Sequence, residues 1–342
     1  MLQRQATTAV LKRQATGTMV RVGKVFVVAF DGSRASVRAA RLAAWLAVTD
    51  VRDKVKLVSV VKNPADMSDC VKMLEDVEQK FVSEMGLRRP QLLPTSIAKL
   101  AEGETVVSAL AAAASGGHLI LGACGKRIES EQKNTGPGSA RPGSAAVSGG
   151  NQLGETASQS MVTCRAPVVI AKPKATSKMD TKRGMSDRAM NKAAMTIVVP
   201  VDARMASQKC FDMALRFAKK GDIVHVVHVI NSDKMMLRPH AEPNELIGDS
   251  AVRQYYKSAC AKAEFERNGA TEFEFVQEQT RKGSSVSDAI VAKCEELLAD
   301  IVIMSSIELA RSDGGANIHL GSVSAAVAKR TGAHVLIAKS FA

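Results

Sequence analysis

A chain of 342 residues exceeds the ~100 to 200 usual for one domain, so two compact units are expected. Its 46% apolar content suffices for ordinary cores, and no uncharged apolar run approaches the ~20 residues that cross a bilayer. The 47 Lys and Arg against 34 Asp and Glu leave a net +13, which raises nucleic acid as a partner, yet 9 Phe, 2 Tyr and 1 Trp offer few rings to stack a single strand.

The first thirty residues hold Arg4, Lys12, Arg13, Arg21 and Lys24 and no acid. We read residues 1–23 as a basic flexible extension in a cytoplasmic protein; the alternative is a transit peptide for a mitochondrion or other organelle. The six cysteines, Cys70, Cys124, Cys164, Cys210, Cys260 and Cys294, form no CxxC pair and no Cys/His cluster, which points to a reducing compartment and to no metal site.

The first unit is read as residues 24–172. An apolar run from Val25 to Phe30 predicts a buried strand that stops at Asp31-Gly32-Ser33. From Ser36 to Val48, Ala39, Ala40, Leu42, Ala43, Leu46 and Ala47 recur at helical spacing. A strand from Lys56 to Val61, a helix from about Met67 to Met85, and a weaker strand near Thr95 to Leu100 follow. An Ala-rich helix from Glu104 to Ser115 leads to a short strand, His118 to Leu121, ending in Gly122. Residues 126–152, with Gly136-Pro137-Gly138-Ser139 and Ser148-Gly149-Gly150, read as an inserted loop. A helix from Glu155 to Thr163 and a strand from Val168 to Ala171 close the unit. Apolar strands alternating with helices imply a parallel sheet covered on both faces.

Residues 173–193 lack periodicity and are read as a linker. The pattern then restarts over 194–342, with strands at Thr196 to Asp202, Ile223 to Ile230, Glu272 to Gln279, Ile301 to Met304 and His334 to Ala338. Helices are expected from Ser207 to Lys219, about Asp249 to Asn268, Ser284 to Leu298, and near Ser322 to Lys329. Asp31 and Asp202 lie 171 residues apart, Val60 and Val229 169, and Gly154 and Gly321 167. The chain is a duplication of one α/β unit.

Ligands of open parallel sheets sit beyond the carboxyl ends of the strands, where strand order reverses. That groups Asp31, the Gly122 loop and Gly154 in copy one, and Asp202, the Ser305 loop and Gly321 in copy two. Glycine lets backbone approach a phosphate and a following helix N-terminus attracts it, although the same glycines also suit plain turns.

The run Val28-Ala29-Phe30-Asp31-Gly32-Ser33-Arg34-Ala35-Ser36 resembles the opening of universal stress protein domains. Leu121-Gly122-Ala123-Cys124-Gly125 and Leu153-Gly154 resemble that family's glycine signature, and Ala166-Pro167-Val168-Val169-Ile170-Ala171-Lys172 its closing strand. In copy two, His228-Val229-Ile230, Leu320-Gly321-Ser322-Val323-Ser324 and Ala333-His334-Val335-Leu336-Ile337-Ala338-Lys339 are similar to the same pattern. The resemblance implies two doubly wound five-stranded parallel sheets of order 3-2-1-4-5, of the adenine-nucleotide alpha hydrolase-like type. It also implies an ATP or other adenine nucleotide in each, with Mg. By the same resemblance Asp31, Val60, Asp202 and Val229 face the adenosine, while Gly122, Gly125, Gly154, Gly321, Ser322 and Ser324 hold phosphates. Pairing through the fifth strands would make the chain an intramolecular pseudo-dimer, with a homo-oligomer as a further option. Both copies depart from the signature: Glu155 and Ala157 stand where hydroxyl residues are expected, and Ser305 and Glu308 where glycines are. Lys126, Lys133 and Arg311 are the nearby cations that would compensate.

His225 and His228, three residues apart on a strand, point to opposite faces and are read as packed histidines rather than a metal pair. Cys124 is read as a small residue, with an oxidisable thiol at a helix N-terminus as the alternative. Residues 1–24, 126–150 and 173–193 together carry +11 of the +13, so the two units are nearly neutral and no specific nucleic-acid face is expected. The expected function is adenine-nucleotide binding in a stress response, without a catalytic group and with at most slow ATP hydrolysis. The alternative is a dimerising interaction scaffold that binds no nucleotide.

Overall fold

The computed structural model describes residues 23–123, 153–173, 182–231, 248–310 and 316–339. The insertion 126–152, the extension before Gly23, and Cys124, Gly125, Lys126, Lys133 and Arg311 lie outside the described residues.

Copy one runs β1 (Val25–Ala29), α1 (Arg34–Ala47), β2 (Lys54–Val61), α2 (Met67–Ser83), β3 (Ser96–Lys99), α3 (Val106–Ala113), β4 (His118–Gly122), α4 (Glu155–Thr163) and β5 (Val168–Ala171). A helix α5 (Lys182–Ala189) precedes copy two: β6 (Thr196–Val201), α6 (Met205–Phe217), β7 (Ile223–Ile230), α7 (Asp249–Glu266), β8 (Glu272–Gln279), α8 (Val286–Glu296) and β9 (Ile301–Ser305). A hairpin of β10 (Ile307–Ala310) and β11 (Ala316–His319) comes next, then α9 (Ser322–Arg330) and β12 (His334–Ala338). Two of these elements were not expected. Helix α5 occupies part of the stretch read as a pattern-free linker, and the hairpin stands where no element was predicted.

The two copies share one ten-stranded sheet of order β3-β2-β1-β4-β5-β12-β9-β6-β7-β8. Each half has the predicted order 3-2-1-4-5 and is parallel throughout. The halves meet at the fifth strands, where β12 pairs antiparallel with β5, setting Val335 opposite Ile170, Leu336 opposite Val169 and Ile337 opposite Val168. The predicted fifth-strand pairing is therefore observed within one chain, and it removes two edges that would otherwise template aggregation.

An antiparallel junction between two parallel half-sheets relates the copies by a near two-fold axis normal to the sheet, so each face stays on its own side. Side chains of α1, α2, α6 and α7 form one continuous core on one face. Those of α3, α4, α8 and α9 form a second on the other. Val168, Val169, Ile170, Val335, Leu336 and Ile337 are all fully buried, each contributing roughly 1.5–3 kcal/mol of apolar burial.

Polar groups repeat across the same axis. Lys172 and Lys339, one residue beyond β5 and β12, are both buried. The Lys172 ammonium donates to the Lys329 carbonyl at the end of α9 at 3.4 Å, and the Lys339 ammonium to the Met161 carbonyl near the end of α4 at 2.5 Å. Each lysine thus places positive charge at the negative end of the other copy's helix. Burial holds the Lys339 ammonium down to about 8. Asp53 and Asp222, just before β2 and β7, accept the Lys24 and Met195 backbone amides at 2.9 Å each, fixing the starts of β1 and β6. Asp53 also takes the Lys219 ammonium of copy two at 3.0 Å.

Candidate functional site

Local chemistry at the start of α1 builds the first wall of the copy-one site. Asp31 Oδ1 accepts the Ser33 amide at 2.9 Å, closing a turn that requires φ +76° at Gly32. Ser33 then caps α1, its hydroxyl accepting the Ser36 amide at 3.0 Å, while the Ser36 hydroxyl donates back to the Ser33 carbonyl. The Asp-Gly-Ser run is therefore a strand-to-helix turn that leaves an exposed carboxylate at the carboxyl end of β1.

Gly122 ends the neighbouring β4. A Cβ there would stand 2.6 Å from the Ala35 carbonyl carbon, so this glycine lets the first turn of α1 settle against β4. Its necessity follows from helix packing alone. The Ala123 amide donates to the Ala171 carbonyl, and the Gly154 amide to the Ala123 carbonyl at 2.7 Å. Gly154 is the N-cap of α4 and supplies no capping side chain, and the first-turn residues Glu155, Thr156 and Ala157 line the same opening.

These parts enclose a cleft of about 480 Å³ above β1, β2 and β4. Val58, Val60, Val106, Leu110 and Leu121 form its apolar wall; Asp31, Ser33, Ser36, Glu155 and Thr156 its polar rim. The site lies where strand order reverses, between β1 and β4. Of the residues predicted for copy one, Asp31, Val60, Gly122 and Gly154 all line it. Val106 and Leu110 were missed. Their signal is the Thr105-x-x-Ser108 cap, whose Thr105 hydroxyl accepts the Ser108 amide at 3.1 Å and starts α3 at the same end of the sheet.

The equivalent place in copy two is arranged differently. Asp202 Oδ1 accepts the Arg204 amide at 2.9 Å and the Ser207 hydroxyl at 2.7 Å, and Oδ2 lies 3.6 Å from the Arg204 guanidinium. Ser324 is buried and its hydroxyl donates to the Ser305 carbonyl at 3.0 Å, tying α9 to the end of β9. Gly321 caps α9, with Ser322 exposed at its first position. Val229 packs partly buried against the core formed with α8 and α9. Beside it, His228 on β7 contacts the Val201 carbonyl and the Asp249 carboxylate, each at 3.0 Å. His225 instead lies 2.9 Å from Glu274, so the two rings do not converge. Among the described residues no group of three His, Cys, Asp or Glu is set to hold a metal ion. A second, more open concavity runs along α7 past Arg253 and Lys257 and is lined by that helix alone.

Residues 194–339 match the model of the Universal stress protein family. A universal stress protein from Archaeoglobus fulgidus DSM 4304 superposes over 92% of this chain and 98% of its own, with a TM-score of 0.59 and 16% identity. That likeness is one of fold and spans both copies. A universal stress protein from Archaeoglobus fulgidus in complex with dAMP aligns with 42% of this chain and 96% of its own at 20% identity and a TM-score of 0.27. A universal stress protein in complex with cAMP aligns with 43% and 97% at 22% identity and a TM-score of 0.29. No curated protein matches. No helix among the described residues is long and apolar enough to cross a membrane.

Proposed function

From the premise that residues 194–339 are a universal stress protein domain and that the first half repeats its fold, we propose that copy one binds the adenosine part of an adenine nucleotide while copy two serves as its structural partner. The observation that carries the reading is the copy-one cleft: an apolar slot for a planar base, opening onto an Asp31 carboxylate that among the described residues accepts one hydrogen bond, from Ser33. That carboxylate keeps acceptor capacity for ribose hydroxyls or an exocyclic amine. In copy two the matching Asp202 is engaged by Ser207 and Arg204, and Ser324 is turned onto its own strand end. The scaffold reading thus has its own support, confined to the second half.

The reading is one of binding. The Ser33 and Ser36 hydroxyls bond within the first turn of α1, and among the described residues neither is paired with a general base. The test is to denature freshly purified protein and assay the released small molecules, then to record melting temperatures with adenosine, AMP and ATP. An adenosine species in the extract, or a ligand-dependent rise lost in Asp31→Ala and kept in Asp202→Ala, is the expected result. No adenosine species and no shift with any of the three would leave the scaffold reading for both copies.

A further inference from the structure

We infer that the copy-one cleft selects adenosine over its phosphorylated forms, and that Glu155 sets this preference; the inference rests on the adenine reading above. Among the described residues that line the cleft, the charged side chains are Asp31 and Glu155, both acidic, with no Lys, Arg or His beside them. Among the described residues of this lining, a polyphosphate meets two carboxylates and no cation.

The position of Glu155 gives the charge its effect. It is the first residue of α4, directly after the N-cap Gly154, at the helix end whose free amides and dipole would otherwise draw a phosphate. Its Oε1 accepts the Gln159 side-chain amide at 2.9 Å, which holds the carboxylate beside the first turn. A negative side chain there already complements the dipole, so an incoming anion gains less and is repelled more. Two residues on, the buried Ala157 offers no hydroxyl, whereas copy two has Ser324 at the matching position. One like-charge contact at about 4 Å weakens binding about fivefold in water, and more in a half-enclosed cleft. A neutral nucleoside carries no such penalty, and its hydroxyls and amine are donors, suited to carboxylate acceptors. The cleft volume also lies in the range of small-molecule sites, about 300–1,000 Å³.

Isothermal titration of the full chain with adenosine, AMP and ATP, with and without magnesium, tests this. The expected order of affinity is adenosine, then AMP, then ATP, with ATP at least about tenfold weaker than adenosine. Glu155→Gln should narrow the ATP-to-adenosine gap about fivefold or more, and about 0.5 M salt should narrow it in the native chain by screening. Glu155→Ser serves as the second variant; the residue is exposed, so both should melt near the native temperature. ATP binding as tightly as adenosine, or a gap that Glu155→Gln leaves unchanged, would overturn the selectivity while the adenine reading stands. If none of the three binds, the adenine reading itself fails, and this inference with it.

Discussion

His118 opens β4 between Phe26 and Phe217, its ring centroid 5.6 Å from the first and 5.1 Å from the second, and Phe217 belongs to the other copy. Burial pushes its imidazole down to about 4, with the nearby Lys24 ammonium acting in the same direction. The ring is therefore neutral in the folded chain at neutral pH, while the unfolded chain takes up a proton below about 6.5. Because the unfolded state binds more protons between pH 6.5 and 4, stability falls as pH falls through that window, by about 3 kcal/mol from this residue. Denaturant unfolding at pH 7 and pH 4.5 should show the slope in the native chain and a shallower one in His118→Leu. Equal slopes would mean that the ring is not held neutral. The acidic cleft belongs to the same scale, since Asp31 and Gly154 were legible as motif positions but the role of their neighbour Glu155 was visible only as a mismatch. Its weight lies in its surroundings, because among the described residues lining the cleft no cation offsets it.

Helix α5 shows what an element can do that its composition hides. The stretch from Pro173 to Ala193 is polar and aperiodic, so it reads as a tether, yet Met185 and Arg188 are buried. The Arg188 guanidinium lies 5.6 Å over the Trp45 ring of α1 and is paired in a two-pronged fashion with Asp222 at the start of β7. Asp222 also accepts the Met195 and Lys219 amides at 2.9 and 2.8 Å. A short helix thus staples copy one to copy two through one residue. Removing one partner of a fully buried pair costs about 3–5 kcal/mol, so Arg188→Met should lower urea-unfolding stability by that order, and adding Asp222→Asn should recover part of it. A loss below about 1 kcal/mol would show that α5 is a passive connection. No sequence period announces such a staple, because a single long side chain does the work of a hydrophobic stripe. The β10–β11 hairpin is hard to read for the opposite reason: Ile307, Leu309 and Ile318 stand in an alternation too short to stand out beside the longer helical patterns.

At the scale of the whole molecule, duplication was the most legible property, since Asp31 and Asp202, Val60 and Val229, and Gly154 and Gly321 recur at spacings of 167 to 171 residues. What spacing does not carry is the joint between the copies. The ten-stranded sheet, the two shared cores and the paired lysines Lys172 and Lys339 arise only when β5 meets β12. Residues 194–342 produced alone would expose the β12 edge and the apolar surface that copy one covers. We expect that fragment to sediment as a dimer through β12; a stable monomer would argue that the joint is dispensable. Within this joined sheet the two halves are unequal at their strand ends, one with an open cleft and one whose matching carboxylate is engaged. The stoichiometry of adenosine binding to the full chain measures this most directly. One molecule per chain, abolished by Asp31→Ala and retained by Asp202→Ala, is the predicted result, whereas two per chain, or one abolished by Asp202→Ala alone, would contradict it.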